Sequence, residues 1–423
     1  MPYYLKLGQV PPKRHIQFRR PDGALYSEEV FGTEGFAGPT STLYHIQPPT
    51  QVTGWKALYS TAPEYVETDT MRMRHLKTMP MKTKGDPITG RVILFGNADC
   101  EMSVCVPAEP MNYHYKNGMA DECIFVHFGS GSVYSTFGTL RFRPKDYIII
   151  PKGTTYQMVF KEVSGDDPPN RFLVIETANG SHILPPPHYV SKKTAQFLEH
   201  APYCERDLRA PELPLTYDEA GDYEVRIKAR NSVHSYIYDY HPLDVVGWDG
   251  CYYPYLFNID DFSPITAKHH MPPPIHQTFE AHNFVICSFC PRTLDWHPQA
   301  IPIPYNHSNI DSDEVLYYVE GNYKARKGIE VGSVTLHPQG IPHGPHPGTV
   351  EASLGKEWTN ELAVMCDTFR PLFPTRAALG LDDAAYPESW KGEHFPKTAG
   401  THHPDGKQRT STRSLTEAVD TSG

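Results

Sequence analysis

Two segments of the chain repeat one pattern, and this repeat constrains the fold more than any other feature of the sequence. Residues 121–129 read DECIFVHFG, and residues 313–321 read DEVLYYVEG. Each has an Asp-Glu pair, a mainly apolar strand and a glycine, with six residues between the Glu and the Gly. Downstream, residues 151–156 read PKGTTY and residues 338–343 read PQGIPH. This internal similarity predicts two copies of one structural unit in a single chain.

The sequence between these segments indicates the secondary structure of the repeated unit. Short alternating apolar runs are separated by turn residues, and the chain contains 41 Pro, 31 Gly and 26 Tyr. This mixture is typical of short strands joined by tight turns. We therefore predict a mainly β protein with two β-barrels, an irregular N-terminal arm and few short helices. The predicted helices cover residues 191–199 and 376–381.

Changes in composition give the expected boundaries. The arm takes residues 1–90, the first barrel residues 91–183, and a proline-rich connector residues 184–222. The second barrel takes residues 223–396. Residues 397–423 are polar and have almost no large apolar side chain, which predicts a disordered tail.

Charge and cysteine content exclude several classes of protein. A net charge of −10 argues against nucleic acid or an anionic membrane as a partner. The N-terminus lacks the apolar core of a signal peptide, and no run of 18 apolar residues predicts a membrane span. The eight cysteines are scattered, and Cys287 and Cys290 lie on a strand-like run, which predicts two packed thiols. We therefore expect a reduced, cytoplasmic location.

The second copy of the repeat carries chemical groups that the first copy lacks. His307 precedes Glu314 by seven positions, and His343 follows the Pro-x-Gly turn. Two imidazoles and one carboxylate form the ligand set that binds iron(II) on one face and leaves positions open for substrate and O2. The first copy keeps Glu122 but has Tyr156 where the second has His343. We expect the first barrel to be metal-free.

The same spacings match the two cupin motifs, and the flanking residues narrow the resemblance. The chain resembles the homogentisate 1,2-dioxygenase family over residues 30–390, most specifically from residue 244 to residue 345. The segments that carry the resemblance are LYHI (43–46), DVVGWDG (244–250), YPY (253–255), PYNHSN (304–309), GNY (321–323) and PHGP (342–345), together with Glu314. The resemblance implies two cupin-type barrels and an Fe(2+) ion bound by His307, Glu314 and His343.

The family resemblance also implies roles for residues beside the ligands. Tyr323 and His343 would border an aromatic substrate, and His337 would pack behind the ligands. His346, just beyond the last ligand, is a weaker candidate for substrate contact.

The family further uses a histidine base on a segment before the first ligand, which here lies within residues 268–279. His276 is the favoured candidate because three prolines (272–274) would fix its approach, and His270 is the alternative. A histidine in a surface loop would explain either residue equally simply.

The expected reaction is ring cleavage. The resemblance implies that both atoms of O2 enter homogentisate to give maleylacetoacetate, in tyrosine and phenylalanine catabolism. One alternative keeps the iron site and changes the ring to gentisate or another hydroquinone-type acid. Another is a two-barrel binding protein without turnover. The resemblance also implies a homo-oligomer, either a trimer or a hexamer.

Overall fold

Strands form most of the regular structure that is described. The computed structural model describes residues 3–82, 84–163, 165, 167–321 and 328–391. The arm contributes five strands: β1 (Leu5–Gly8), β2 (Ser27–Gly32), β3 (Thr40–His45), β4 (Gly54–Ser60) and β5 (Arg74–Lys77).

The first repeat and the residues after it form the next set of strands. These are β6 (Arg91–Gly96), β7 (Cys100–Cys105), β8 (His114–Asn117), β9 (Glu122–Phe128), β10 (Gly131–Ser135), β11 (Gly138–Phe142), β12 (Asp146–Ile150), β13 (Thr155–Phe160), β14 (Arg171–Thr177), β15 (Leu208–Arg209), β16 (Ala220–Ala229), β17 (Ser232–Tyr240), β18 (Val245–Gly250) and β19 (Tyr255–Asn258).

The second repeat lies within the last set. These strands are β20 (Gln277–Ala281), β21 (Phe284–Phe289), β22 (Arg292–Thr293), β23 (Asp313–Glu320), β24 (Ser333–His337), β25 (Trp358–Thr359), β26 (Leu362–Thr368) and β27 (Phe373–Pro374). The described helices are short: α1 (Thr349–Ser353), α2 (Arg376–Leu379) and the 3₁₀ turns Glu34–Phe36, Pro187–Tyr189, Glu205–Asp207, Ile259–Asp261, Pro273–His276 and Tyr386–Trp390.

Sheet pairing divides these strands between two cupin-type barrels. The first barrel has a seven-stranded sheet, β11-β10-β13-β8-β16-β17-β4, and an eight-stranded sheet, β15-β19-β12-β9-β14-β7-β6-β27. The second is built on a six-stranded sheet, β20-β21-β26-β23-β24-β5, and on the pair β22-β25. The arm strands β1, β3 and β2 join β18 in a four-stranded sheet. The predicted mainly β fold with two barrels is thereby confirmed.

Strand β9 alternates between two cores, as a strand buried on both faces must. Ile124 and Val126 pack inside the first barrel, whereas Cys123 and Phe125 face the apolar layer between the barrels. Burying each such side chain stabilises the fold by roughly 1.5–3 kcal/mol. The shared layer therefore fixes the two barrels against each other.

Strand β23 repeats this alternation in the second barrel. Leu316 and Tyr318 face the barrel interior, whereas Val315 and Tyr317 join the layer between the barrels. The same period of two places Glu314 on the interior side. The strand pattern of the repeat thus decides which way the carboxylate points.

The strands between the two repeats extend the first barrel. The sequence assigned residues 223–258 to the second barrel, whereas β16 pairs with β8 and β19 pairs with β12 of the first. Such pairing joins residues far apart in the chain, so a change in composition at residue 223 cannot report it.

The two predicted helices have different outcomes. Residues 376–379 form α2, and the Thr375 hydroxyl accepts a hydrogen bond from the Ala378 N–H at its start. The helix predicted at 191–199 is wrong. There the Ser191 hydroxyl accepts hydrogen bonds from the N–H groups of Lys193 and Thr194, and Ala195 has a φ of 57°. A local hydroxyl cap and a left-handed residue leave a turn in place of a helix.

Two further observations concern cysteines and apolar helices. Cys287 and Cys290 are both buried as free thiols, in agreement with the sequence, and the other described cysteines are also unpaired. None of the helices in the described ranges has the length and apolar character that a membrane crossing requires.

Candidate metal centre

Two loops and one strand bring the predicted ligands together. Glu314 lies near the start of β23, and His307 and His343 form a two-residue bridge, with each N–H donating to the other's carbonyl oxygen at 2.8 Å. Gly344 permits the close approach of these loops, since a Cβ there would lie 2.8 Å from the Asn306 Cα. The local backbone thus fixes the distance between the two imidazoles.

Hydrogen bonds to the backbone orient both imidazoles. The Nδ1 of His307 donates to the Tyr305 carbonyl oxygen at 3.0 Å, and that of His343 donates to the Ile341 carbonyl oxygen at 3.1 Å. Each Nε2 then carries the lone pair that binds a metal. The two Nε2 atoms lie 3.7 and 3.8 Å from Oε2 of Glu314.

These three side chains have the properties of a metal site. Their ligand atoms lie within 4.8 Å of one another, and they are the one such group among the described residues. The Nε2 of His343 is buried and has no hydrogen-bond partner, which is costly unless another group satisfies it. A single ion with ligand bonds of about 2.0–2.2 Å would do so.

His337 lies behind the ligands. Its Nδ1 donates to Oε1 of Glu314 at 2.8 Å, and its ring stacks on that of His343 at 4.7 Å. Its Nε2 lies 3.4 Å from the hydroxyl of Tyr386. His337 therefore holds one carboxylate oxygen and leaves the other turned towards the two ligand imidazoles.

Two buried carboxyl groups at this site are shifted in opposite directions. Burial raises the pKa of Glu314, but the neighbouring imidazoles of His307, His337 and His343 outweigh it and hold that pKa well below its usual range. Asp367, beside Glu314 in the sheet, has its pKa raised well above normal by burial and by the Glu314 charge. The site therefore favours a charged Glu314 and a neutral Asp367.

Sequence reasoning missed Asp367, although a signal existed. Glu176-Thr177 ends β14 of the first barrel, and Asp367-Thr368 ends β26 of the second. Glu176 pairs with Glu122 in the sheet as Asp367 pairs with Glu314. The repeat thus extends to an acidic residue in each barrel.

A cavity of about 390 Å³ opens beside the ligands. Its wall includes His307, Glu314 and Asp367, and also His270, His276 and Arg292. The volume suits a ligand with a single aromatic ring, since small-molecule sites range upwards from about 300 Å³. Both candidate bases therefore face the same space as two of the ligands.

The two candidate bases differ in their surroundings. His270 is half-buried, and its Nδ1 lies 3.3 Å from a carboxylate oxygen of Asp295. His276 is buried, its Nδ1 has no hydrogen-bond partner, and its ring lies 4.6 Å from that of Phe289. Burial, with smaller contributions from Arg292 and His270, lowers the pKa of His276 to about 3.

The remaining predicted site residues lie elsewhere. His346 is buried, with Nε2 at 3.3 Å from the Ser389 hydroxyl and its ring edge-on to Trp390 at 4.1 Å. This environment is that of a packed side chain behind the site. Tyr323 lies outside the described residues, so its contact with substrate stays a prediction.

Comparison with known proteins covers nearly the whole chain. Residues 10–259 match the family model described as homogentisate 1,2-dioxygenase N-terminal, and residues 265–395 match the one described as C-terminal. The chain belongs to the homogentisate 1,2-dioxygenase family. The C-terminal match contains all three candidate ligands, both candidate bases and Arg292.

The names of the relatives differ in whether they specify a substrate. A protein from Saccharolobus solfataricus, whose name gives a provisional dioxygenase activity and no substrate, is 39% identical over 396 residues, covering 92% of this chain and 99% of its own. Homogentisate 1,2-dioxygenase from Sinorhizobium medicae is 27% identical over 412 residues, covering 87% of this chain and 86% of its own.

The matches among solved structures are remote. A cupin 2 conserved barrel domain protein from Leptotrichia buccalis has a TM-score of 0.28 and 9% identity, covering 74% of this chain and 98% of its own. The 11S allergen from Cocos nucifera has a TM-score of 0.27 and 12% identity, covering 73% of this chain and 93% of its own.

Proposed function

We propose that this protein is an iron(II)-dependent dioxygenase that opens the ring of homogentisate and yields maleylacetoacetate. The observation that carries this proposal is the group of His307, Glu314 and His343, with ligand atoms within 4.8 Å beside a cavity of about 390 Å³. Two imidazoles and one carboxylate suit iron(II) and leave coordination positions for substrate and O2. When bound, iron(II) supplies the electron transfer that activates O2.

The chain's own residues bind and orient the reactants in this proposal. His337 donates to Glu314 and keeps the carboxylate ionised, so that one of its oxygens remains for the metal. Leu316, Tyr318 and Met365 line the cavity and exclude water from the ring. Both oxygen atoms of O2 end in the product, as one carbon–carbon bond of the ring breaks.

The proposed base is His270, which was the alternative in the sequence. The carboxylate of Asp295 lies 3.3 Å from Nδ1 of His270 and would stabilise the imidazolium that forms when the other nitrogen takes a proton from the substrate hydroxyl. His276, with a pKa near 3, is neutral at working pH but holds a proton too weakly to serve as an efficient base. We propose that His276 instead forms part of the cavity wall.

Substitution separates these two roles. His270→Ala is expected to lower kcat by about 100- to 10,000-fold, because a positioned base contributes that much. His276→Ala is the matched control, with the same atoms removed from the same cavity and a smaller loss of kcat. Iron content should stay normal in both variants. A larger kcat loss in His276→Ala than in His270→Ala would reverse the assignment.

Oxygen consumption distinguishes the candidate substrates. The protein is loaded with iron(II) without air, and oxygen uptake is measured with homogentisate and with gentisate. Mass spectrometry of the product made from labelled O2 should show both oxygen atoms incorporated. Uptake with gentisate alone would favour the second candidate function, a dioxygenase that acts on gentisate. The name of the Saccharolobus relative, which gives no substrate, is compatible with either acid. No uptake with either acid would leave a binding protein without turnover.

The assembly state is a separate proposal. We propose a homo-oligomer, a trimer or a pair of trimers, on the strength of the family alone. Sedimentation of the purified chain tests it, and a monomer at working concentration would contradict it.

A further inference from the structure

One cation in the site cavity has no role in the chemistry proposed so far. Arg292 lies on β22, which pairs with the two-residue strand β25, and both strands contribute to the cavity wall. Its Nη1 donates to the Cys290 carbonyl oxygen at 3.0 Å, and its guanidinium lies 5.7 Å from the centre of the Phe289 ring. These contacts hold the guanidinium in a fixed place.

The charge of Arg292 is not balanced by a neighbour. No carboxylate in the described ranges forms an ion pair with its guanidinium; Asp295, the nearest acid in sequence, faces His270. A guanidinium has five N–H donors, and the bond to Cys290 engages one of them. A half-buried cation with open donors in a cavity of this kind is a site for an anion.

The geometry of the side chain selects the kind of anion. A planar guanidinium binds a carboxylate through two parallel hydrogen bonds, and the single bond to the Cys290 carbonyl oxygen leaves the other donors of Arg292 for them. The field of Arg292 also reaches His276 in the same cavity and lowers its pKa. His307 and Glu314 line the same cavity as Arg292. One small molecule can therefore contact both the metal site and the guanidinium.

We propose that Arg292 binds the carboxylate of the substrate and thereby restricts this site to hydroxylated aromatic rings that carry a carboxylate. This inference rests on the proposed function, because it names the group that anchors the substrate of the same site. It also adds a residue that the sequence reasoning did not single out.

Binding of an unreactive pair of ligands tests the proposal without turnover. The iron(II)-loaded full-length protein is titrated without air with 4-hydroxyphenylacetate and with 4-hydroxyphenylacetamide, which differ only in the charged group. We expect the wild type to prefer the acid. Arg292→Met should weaken binding of the acid by about 10- to 100-fold, since charged hydrogen bonds contribute that much. Binding of the amide should stay nearly unchanged.

Control variants separate a specific contact from a general effect. Lys356 lines the same cavity, so Lys356→Met removes one positive charge there without removing the guanidinium. It should change binding of the acid much less than Arg292→Met does. Arg292→Lys keeps the charge but loses the two-bond geometry, and it should give an intermediate affinity.

Several results would overturn the proposal. These are equal binding of acid and amide by the wild type, equal losses for both ligands in Arg292→Met, or a larger loss in Lys356→Met. Because the readout is affinity in the absence of O2, it remains separate from oxygen uptake. An active enzyme with no preference for the acid would refute the role of Arg292 alone. A preference for the acid without oxygen uptake would refute the reaction alone.

Discussion

The two barrels place the same backbone pattern around different chemistry. In the second, His307 and His343 face each other across a β-bridge beside Glu314, and their ring centres are 4.3 Å apart. In the first, the residues at the corresponding positions around Glu122 are Tyr115 and Tyr156. They are also paired across neighbouring strands, with ring centres 5.6 Å apart. Two tyrosines thus stand where the second barrel has its imidazoles.

The first barrel also carries its own cation. The Arg91 guanidinium hydrogen-bonds to the carboxylates of Glu122 and Glu176, and it lies 5.9 Å from the centre of the Tyr115 ring. The Tyr156 hydroxyl donates to Glu122 at 2.7 Å. We propose that this guanidinium takes the place of the metal ion proposed for the second barrel, so that the first barrel needs no metal. Burial of a carboxylate requires a cation in both cases.

The largest effect expected in the first barrel comes from removing that cation. Arg91→Met leaves Glu122 and Glu176 buried with one charged partner, Lys228. Breaking a buried ion pair from one side costs about 3–5 kcal/mol. Urea unfolding of the metal-free protein measures this loss.

The matched control for that variant is Arg141→Met. Arg141 and Glu212 form an exposed ion pair, so its removal should change stability little. Equal unfolding midpoints for the two variants would contradict the role of Arg91 as the cation that balances the buried carboxylates of the first barrel.

The paired acids Glu176 and Asp367 have pKa values that are shifted in opposite directions. Burial raises the pKa of Glu176, but Lys228 and Arg91 outweigh it and set that pKa to about 2. A lowered pKa stabilises the fold above the unfolded value of 4.5, and this stability is lost as the pH falls towards 2. Asp367 has a raised pKa, so its ionisation opposes folding, and lowering the pH relieves the cost.

Two isosteric substitutions should therefore act in opposite directions near pH 7. In the metal-free protein, Glu176→Gln should lower stability by about 2 kcal/mol or more, because it removes the carboxylate that the buried Arg91 and Lys228 cations share. Asp367→Asn should raise it. The difference in stability between Glu176→Gln and the wild type should become smaller as the pH falls to about 3. Melting curves across this pH range measure both effects, and shifts of the same sign at pH 7 would contradict the assignment.

A smaller effect is expected at the position that distinguishes the two turns. Tyr156→Phe removes one hydrogen bond to Glu122, which Arg91 still binds, and should cost about 1 kcal/mol. Replacing the corresponding residue of the second barrel, in His343→Phe, should abolish metal binding. Metal analysis of the two variants gives this comparison, and a loss of metal in Tyr156→Phe would count against a metal-free first barrel.

The repeat shows how much of the site could be read from the sequence. Period-two alternation predicts the orientation of Glu314, and the Pro-x-Gly turn predicts His343, since both depend on local geometry. Asp367 and Arg91 come to their carboxylates through sheet pairing across more than 30 residues. The same limit applies to β16–β19, which pair with the first barrel. Local patterns do not encode such partners.

The choice between His270 and His276 as the proposed base depends on the side chains that surround each of them. Three prolines next to His276 indicated rigidity, but rigidity says nothing about a partner. The partner that favours His270 is Asp295, 25 positions further along the chain. Sequence spacing offered no means to connect these two residues.

The contrast between the two barrels implies that the second binds a metal ion and the first does not. Titration with iron(II) in the absence of air, followed by metal analysis of the folded protein, tests this directly in the wild type, in Glu314→Gln and in Glu122→Gln. We expect about one ion per chain in the wild type and in Glu122→Gln, and none in Glu314→Gln. An ion that survives Glu314→Gln, or is lost in folded Glu122→Gln, would contradict it.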